Sequence, residues 1–105
     1  MASELGTGIK LLVGMTPIDV SHLEDVDFKV EVFSSSRGGN KVIVPKEEAL
    51  RMDEDHYIIC VDSAMVGYGD YYITLWAYIP DADFPDGVRP EGKTIKTNVT
   101  ISNTR

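Results

Sequence analysis

Two stretches, Asp27-Phe28-Lys29-Val30-Glu31-Val32-Phe33 and Tyr71-Tyr72-Ile73-Thr74-Leu75-Trp76-Ala77-Tyr78-Ile79, decide the fold. Side chains along a strand point alternately to opposite faces. In the first stretch Phe28, Val30 and Val32 fall on one side and Lys29 and Glu31 on the other, the pattern of a half-buried antiparallel strand. In the second, Ile73, Leu75, Ala77 and Ile79 share one face, and Tyr72, Thr74, Trp76 and Tyr78 share the other.

Working outward, Ser34-Ser35-Ser36-Arg37-Gly38-Gly39-Asn40 is rich in residues that tolerate turn backbone angles, and Lys41-Val42-Ile43-Val44 resumes the strand pattern until Pro45, giving a hairpin. Residues 9–13 form a short apolar run closed by Gly14, and residues 15–21 read as an extended linker around Pro17. Pro45-Lys46-Glu47-Glu48-Ala49-Leu50 suits one helical turn, and Asp53-Glu54-Asp55 marks a solvated turn. The continuous apolarity of His56-Tyr57-Ile58-Ile59-Cys60-Val61 predicts a strand that is central or covered on both faces. Gly67-Tyr68-Gly69-Asp70 turns the chain, residues 80–87 form a loop, and residues 94–102 give a last strand with Ile95, Thr97, Val99 and Ile101 on one side. Short strands at this spacing, without a long amphipathic helix, predict an all-β fold: an immunoglobulin-like antiparallel β-sandwich of six to seven strands.

A chain of 105 residues is the size of one domain, and 43% apolar residues suffice for one core. Residues 1–105 are therefore expected to form a single sandwich, with residues 1–7 as a flexible or docking arm. Seventeen acids against ten Lys and Arg leave a net charge of −7, which opposes binding to nucleic acid or to an anionic membrane surface. The single cysteine, Cys60, excludes an intrachain disulfide and is expected to be a buried, inert thiol. No basic region followed by a long apolar run opens the sequence, so synthesis and retention in a reducing cytoplasm are expected, and the sequon Asn98-Val99-Thr100 carries no weight.

Catalysis by a nucleophile and base needs a converging set, and His22 in the linker and His56 at a strand start have no nucleophile motif beside them. No catalytic residue and no cofactor is assigned, and the glycine-rich stretches lack a P-loop lysine. Asp81, Asp83 and Asp86 could supply hard oxygen ligands for calcium. Their loop departs from an EF-hand: Pro85 stands at the third ligand position, Asp86 where glycine is required, and Gly92 where the bidentate glutamate belongs. An acidic solvated loop is the alternative. Tyr72, Trp76 and Tyr78, with Phe84 in the loop, are the interface candidates, because large amphipathic aromatics anchor contacts and stack on sugars. Packing on a second core face is the other reading of that aromatic row. A partner is favoured, since a two-layer sandwich leaves an outer face open on each sheet unless something covers it.

Asp27-Phe28-Lys29-Val30-Glu31-Val32, Asp55-His56-Tyr57-Ile58-Ile59-Cys60-Val61-Asp62, Gly67-Tyr68-Gly69, and Ala77-Tyr78-Ile79-Pro80-Asp81-Ala82-Asp83-Phe84-Pro85-Asp86-Gly87 through Arg89 resemble small immunoglobulin-like domains of phages and prophages of Bacteroidales. The resemblance spans residues 27–89. At Pro90-Glu91-Gly92-Lys93 the sequence departs from the pattern, leaving the pairing of the last strand open. It implies a non-enzymatic virion part of a tail, baseplate, head fibre or capsid decoration, made in the bacterial cytoplasm, whose partners are other virion proteins and a second copy of itself. A carbohydrate-binding or adhesion module, using the aromatic strand face and the acidic loop, is the alternative expectation.

Overall fold

The computed structural model describes residues 2–4, 6–35 and 40–102 of the chain, so residues 36–39 of the predicted hairpin turn lie outside the described residues. The fold is an all-β sandwich of two sheets. Its strands are β1 (Ala2–Glu4), β2 (Gly8–Gly14), β3 (Asp27–Ser34), β4 (Val42–Pro45), β5 (Leu50–Asp53), β6 (His56–Asp62), β7 (Gly69–Pro80) and β8 (Val88–Ser102), with a four-residue helix α1 (Ser63–Val66) between β6 and β7. One sheet runs β1-β8-β7-β3-β4 and the other β2-β6-β5; every pairing is antiparallel except β1 with β8.

The period-two pattern builds the core. Phe28, Val30 and Val32 of β3 and Tyr71, Ile73, Leu75, Ala77 and Ile79 of β7 face Ile9, Leu11 and Val13 of β2 and Tyr57, Ile59 and Val61 of β6, all buried. Phe28 meets Tyr57 across the two layers edge to face, with ring centroids 4.7 Å apart. Leu23, on a 3₁₀ turn at Leu23–Asp25, and Val66 of α1 are fully buried within the same core. Burying some nineteen apolar side chains, at about 1.5–3 kcal/mol each, is the term that offsets the conformational entropy of ordering the chain.

The seven strands β2 to β8 agree with the six to seven predicted, and the short β1 adds to them. The structure alters several expectations. Ala2–Glu4, within the predicted arm, is a strand parallel to β8 at Thr100–Ser102. β5 was not predicted, and the helical turn before it is a 3₁₀ turn at Lys46–Glu48. β8 starts at Val88 rather than at residue 94, and at about 3.3 Å per residue its fifteen residues span about 50 Å, matching the 52 Å long axis of the molecule. Its register against β7 shifts between Asp70 and Tyr72, so Ile95 and Ile101 do not share one uninterrupted row. The Thr97 hydroxyl fills the resulting gap, donating to the Tyr71 carbonyl at 2.8 Å and accepting from the Val99 amide at 3.1 Å.

β6 is central in its sheet, as predicted, but it is covered on one face only. Tyr57, Ile59 and Val61 point inward, whereas Cys60 points outward beside Lys10 and is exposed, so it is not the buried thiol the apolar run implied. The reason is the layer count: with two layers, each strand has one inner and one outer face whatever its composition.

Candidate functional site

The outer face of β3 and β7 carries the predicted aromatic row, half-buried rather than in a second core. Phe33 stacks on Tyr72 with centroids 5.8 Å apart and planes 13° apart, and the Lys41 ammonium sits 5.9 Å from the Phe33 ring. Glu31 beside them pairs with Lys41 at 3.2 Å. Thr74 and Thr94 hydroxyls meet at 2.8 Å across β7 and β8. The Trp76 ring packs against Gly92, where a Cβ would come within 2.6 Å of it. Tyr72, Trp76 and Tyr78 are thus largely covered by their own sheet neighbours, and Phe84 stands apart on the β7–β8 loop, 39% exposed.

Tyr78 opens onto a cleft of about 620 Å³, whose apolar wall is Val26, Pro80, Val88 and Pro90 and whose carboxylates are Asp25, Asp27 and Asp86. Of the three predicted calcium ligands only Asp86 lines it. Asp81 is engaged elsewhere: one carboxylate oxygen accepts from Arg89 at 3.0 Å and the other from the Asp83 amide at 3.0 Å. Arg89 also reaches Asp19 at 3.3 Å and the Ile18 carbonyl at 3.2 Å, tying the loop to the linker. Asp19 holds a left-handed backbone there, φ 68°, a conformation that aspartate tolerates better than most residues.

Among the described residues the grouping of three metal-capable side chains is His22, Glu54 and Asp55, with donor atoms within 4.8 Å of one another, and not the 81–86 loop. Asp55 accepts from the Leu23 amide at 2.9 Å and contacts His22 Nδ1 at 3.3 Å. Those bonds hold the Asp55 carboxyl below its usual range, the amide first and the imidazole after it, and the same carboxylate raises the His22 imidazole above its ordinary value. Asp53, bonded by the Asp55 amide and His56, is lowered as well. The cluster clasps the linker to the β5–β6 turn, with Met15 and Glu24 amides adding bonds to the Asp55 and Glu54 carbonyls at 3.2 and 2.9 Å.

The surface that sequence reasoning missed is the outer face of β2-β6-β5. Leu12, Ile58 and Leu50 stand opposite one another in a row across the three strands, with Met52 beside them. Leu12 and Leu50 are 59% exposed and Met52 58%, so three large apolar side chains are left mostly in water on one sheet face. Apolar side chains clustered on one outer face are a general feature of surfaces that bind other molecules. The signal was available in Leu12 and in Leu50-Arg51-Met52, but an outward apolar residue and an inward one look alike in a continuous run. Searches against protein-family models, curated proteins and solved structures find no match to this chain.

Proposed function

We propose that this chain is a non-enzymatic docking and assembly module, an immunoglobulin-like sandwich that serves as a structural part of a phage or prophage virion. The observation that carries the docking reading is the set of exposed Leu12, Leu50 and Met52 around the half-buried Ile58 on the β2-β6-β5 face. The virion setting rests on the sequence resemblance over residues 27–89.

Two features support the immunoglobulin-like assignment. Reading β2 to β8 as strands B, C, C′, D, E, F and G reproduces the two-sheet arrangement BED against GFCC′. The buried Tyr71, near the start of the strand in the F position, sends its hydroxyl back to the Gly67 carbonyl at 2.7 Å, in the manner of a tyrosine corner.

The test is particle composition. In virions purified from a host carrying the gene, the chain is expected to co-sediment in fixed copy number, and Leu50→Lys with Met52→Lys to drop out of the particles while remaining folded. A chain found only in the free soluble fraction contradicts the proposal. The glycan reading has one specific observation in its favour, the Tyr78 cleft with its proline wall and three carboxylates. Glycan arrays probed with and without chelator test it, and no signal in either condition removes it.

A further inference from the structure

One sheet edge of this molecule lacks the protections that the others carry. β4 is four residues long and ends at Pro45, β1 is three residues long, β5 breaks its register between Arg51 and Asp53, and β8, open from Val88 to Val99, carries Pro90, Lys93, Lys96 and a register shift. Short, proline-ended and bulged strands keep sheet edges from pairing with other chains. β2 has none of these: seven residues in unbroken register with β6, no proline, and Lys10 as its one charge. Among the described residues no strand lies on its other side.

The ladder shows which backbone groups face that edge. Ser63 donates to the Thr7 carbonyl at 3.1 Å and Met15 donates to the Asp55 carbonyl at 3.2 Å, continuing the β2–β6 register past both ends. Bonded pairs recur at every second residue of an antiparallel ladder, so Ile9, Leu11 and Val13 bond to β6. The amides and carbonyls of Gly8, Lys10, Leu12 and Gly14 then point away from β6, toward solvent. The side chains of the same four residues belong to the outer face, where Leu12 is 59% exposed.

We propose that β2 pairs antiparallel with β2 of a second copy, about a two-fold axis at Leu11, joining two three-stranded sheets into one of six strands. This deepens the docking reading above and rests on it. The four edge-facing residues map onto one another under that axis: Gly8 meets the partner's Gly14 and Lys10 meets the partner's Leu12. Four bonded residue pairs supply about eight N–H···O bonds. The aliphatic stem of Lys10 lies across the partner's Leu12 and covers it while the ammonium stays in water. Over the outer face beside that edge a groove of about 450 Å³ runs along Gly6, Gly8, Lys10, Cys60 and Asp62, leaving the Lys10 side chain uncrowded by its own sheet.

Area favours the edge over the face as the seat of self-pairing. Three mostly exposed side chains and the half-buried Ile58 make a patch on the order of a few hundred Å², against about 800 Å² per partner in a standard interface. A face patch of that size falls short by itself, whereas the edge offers the outward backbone groups of Gly8, Lys10, Leu12 and Gly14. A charge of −7 on each copy opposes association, so added salt strengthens the dimer.

Sedimentation velocity from about 1 µM to about 1 mM protein is expected to show a monomer passing to a dimer, at lower concentration in higher salt. Leu12→Pro removes one edge-facing amide without removing a bond to β6 and should leave a monomer. Should that variant fail to fold, the register is read by cross-linking. In a Cys60→Ser background, Lys10→Cys and Leu12→Cys chains treated with a mild oxidant should form covalent dimers when mixed and few when kept apart. A wild type that stays monomeric throughout, or equal cross-linking in mixed and separate samples, overturns the proposal. A monomer that still co-sediments with particles overturns this pairing alone and leaves the docking reading standing.

Discussion

Tyr71→Phe isolates one hydroxyl at the crossover between the two sheets. The Tyr71 ring is fully buried, and Phe fills the same space, so the substitution leaves the core packed. What it removes is a hydrogen bond of 2.7 Å to the Gly67 carbonyl and a longer one of 3.2 Å to the Ser63 carbonyl, both at the α1 turn that carries the chain from β6 to β7. The phenol has one proton, held chiefly by the shorter bond, and losing that buried bond costs about 0.5–1.5 kcal/mol net. For a domain of this size that lowers the melting temperature by roughly 4–8 °C per kcal/mol. Urea titration and scanning calorimetry measure it, with Tyr72→Phe on the half-buried outer face as the control expected to stay within about 0.5 kcal/mol. Amide exchange in α1 should accelerate in Tyr71→Phe alone. A Tyr71→Phe protein as stable as wild type within about 0.5 kcal/mol would refute the crossover argument.

Gly92→Ala drives a methyl into the Trp76 ring and should cost about 1–2 kcal/mol, with a red shift in the fluorescence of the chain's single tryptophan as the ring swings outward. Arg89→Ala releases Asp81, Asp19 and the Ile18 carbonyl together and should destabilise by roughly 1–2 kcal/mol, measured by urea denaturation, with the 81–87 loop and the 15–21 linker becoming protease-sensitive. The His22–Asp55 clasp gives stability a pH dependence of known sign. Because folding raises His22 above 6.5, its contribution is fully present below pH 6.5 and is lost as pH rises through the folded value. Because folding lowers Asp55 below 3.8, its contribution is present above that pH and lost as pH falls through the folded value. Melting temperature measured against pH should show both limbs, and His22→Ala should flatten the alkaline one.

The strands legible in the sequence are those whose two faces differ chemically. β3 alternates Phe28, Val30, Val32 against Lys29, Glu31, and β7 sets aliphatics against aromatics, so both inner faces were read correctly. β5 was not legible because all four of its residues are exposed and Leu50-Arg51-Met52-Asp53 does not separate apolar from polar positions; pairing with β6 makes it a strand. The early start of β8 was hidden by Pro90, which reads as a breaker. From Val88 to Val99 that strand has β7 as its sole described neighbour, because β1 reaches only Thr100–Ser102, and a proline at such an edge costs no ladder bond on the open side.

The same physics divides the candidate site. The aromatics of β7 fell on the outer face, as the alternation required, but how far Gly92 and Phe33 cover Trp76 and Tyr72 depends on cross-strand register, which no local pattern encodes. The loop carboxylates were legible as acids and not as partners, since Asp81 is tied to Arg89, a residue beyond the loop. Leu12 and Cys60 were read within apolar runs whose outward members have the composition of buried ones. Only the thickness of the sandwich separates the two.

Amide hydrogen exchange resolved along β2 tests most directly the claim that this strand is an open edge on which a second copy pairs. In dilute solution Lys10 and Leu12 amides are predicted to exchange at least about 100-fold faster than those of Leu11 and Val13, and in concentrated solution to become protected alongside them. Equal protection of all four at every concentration, or persistent fast exchange at Lys10 and Leu12, would contradict it.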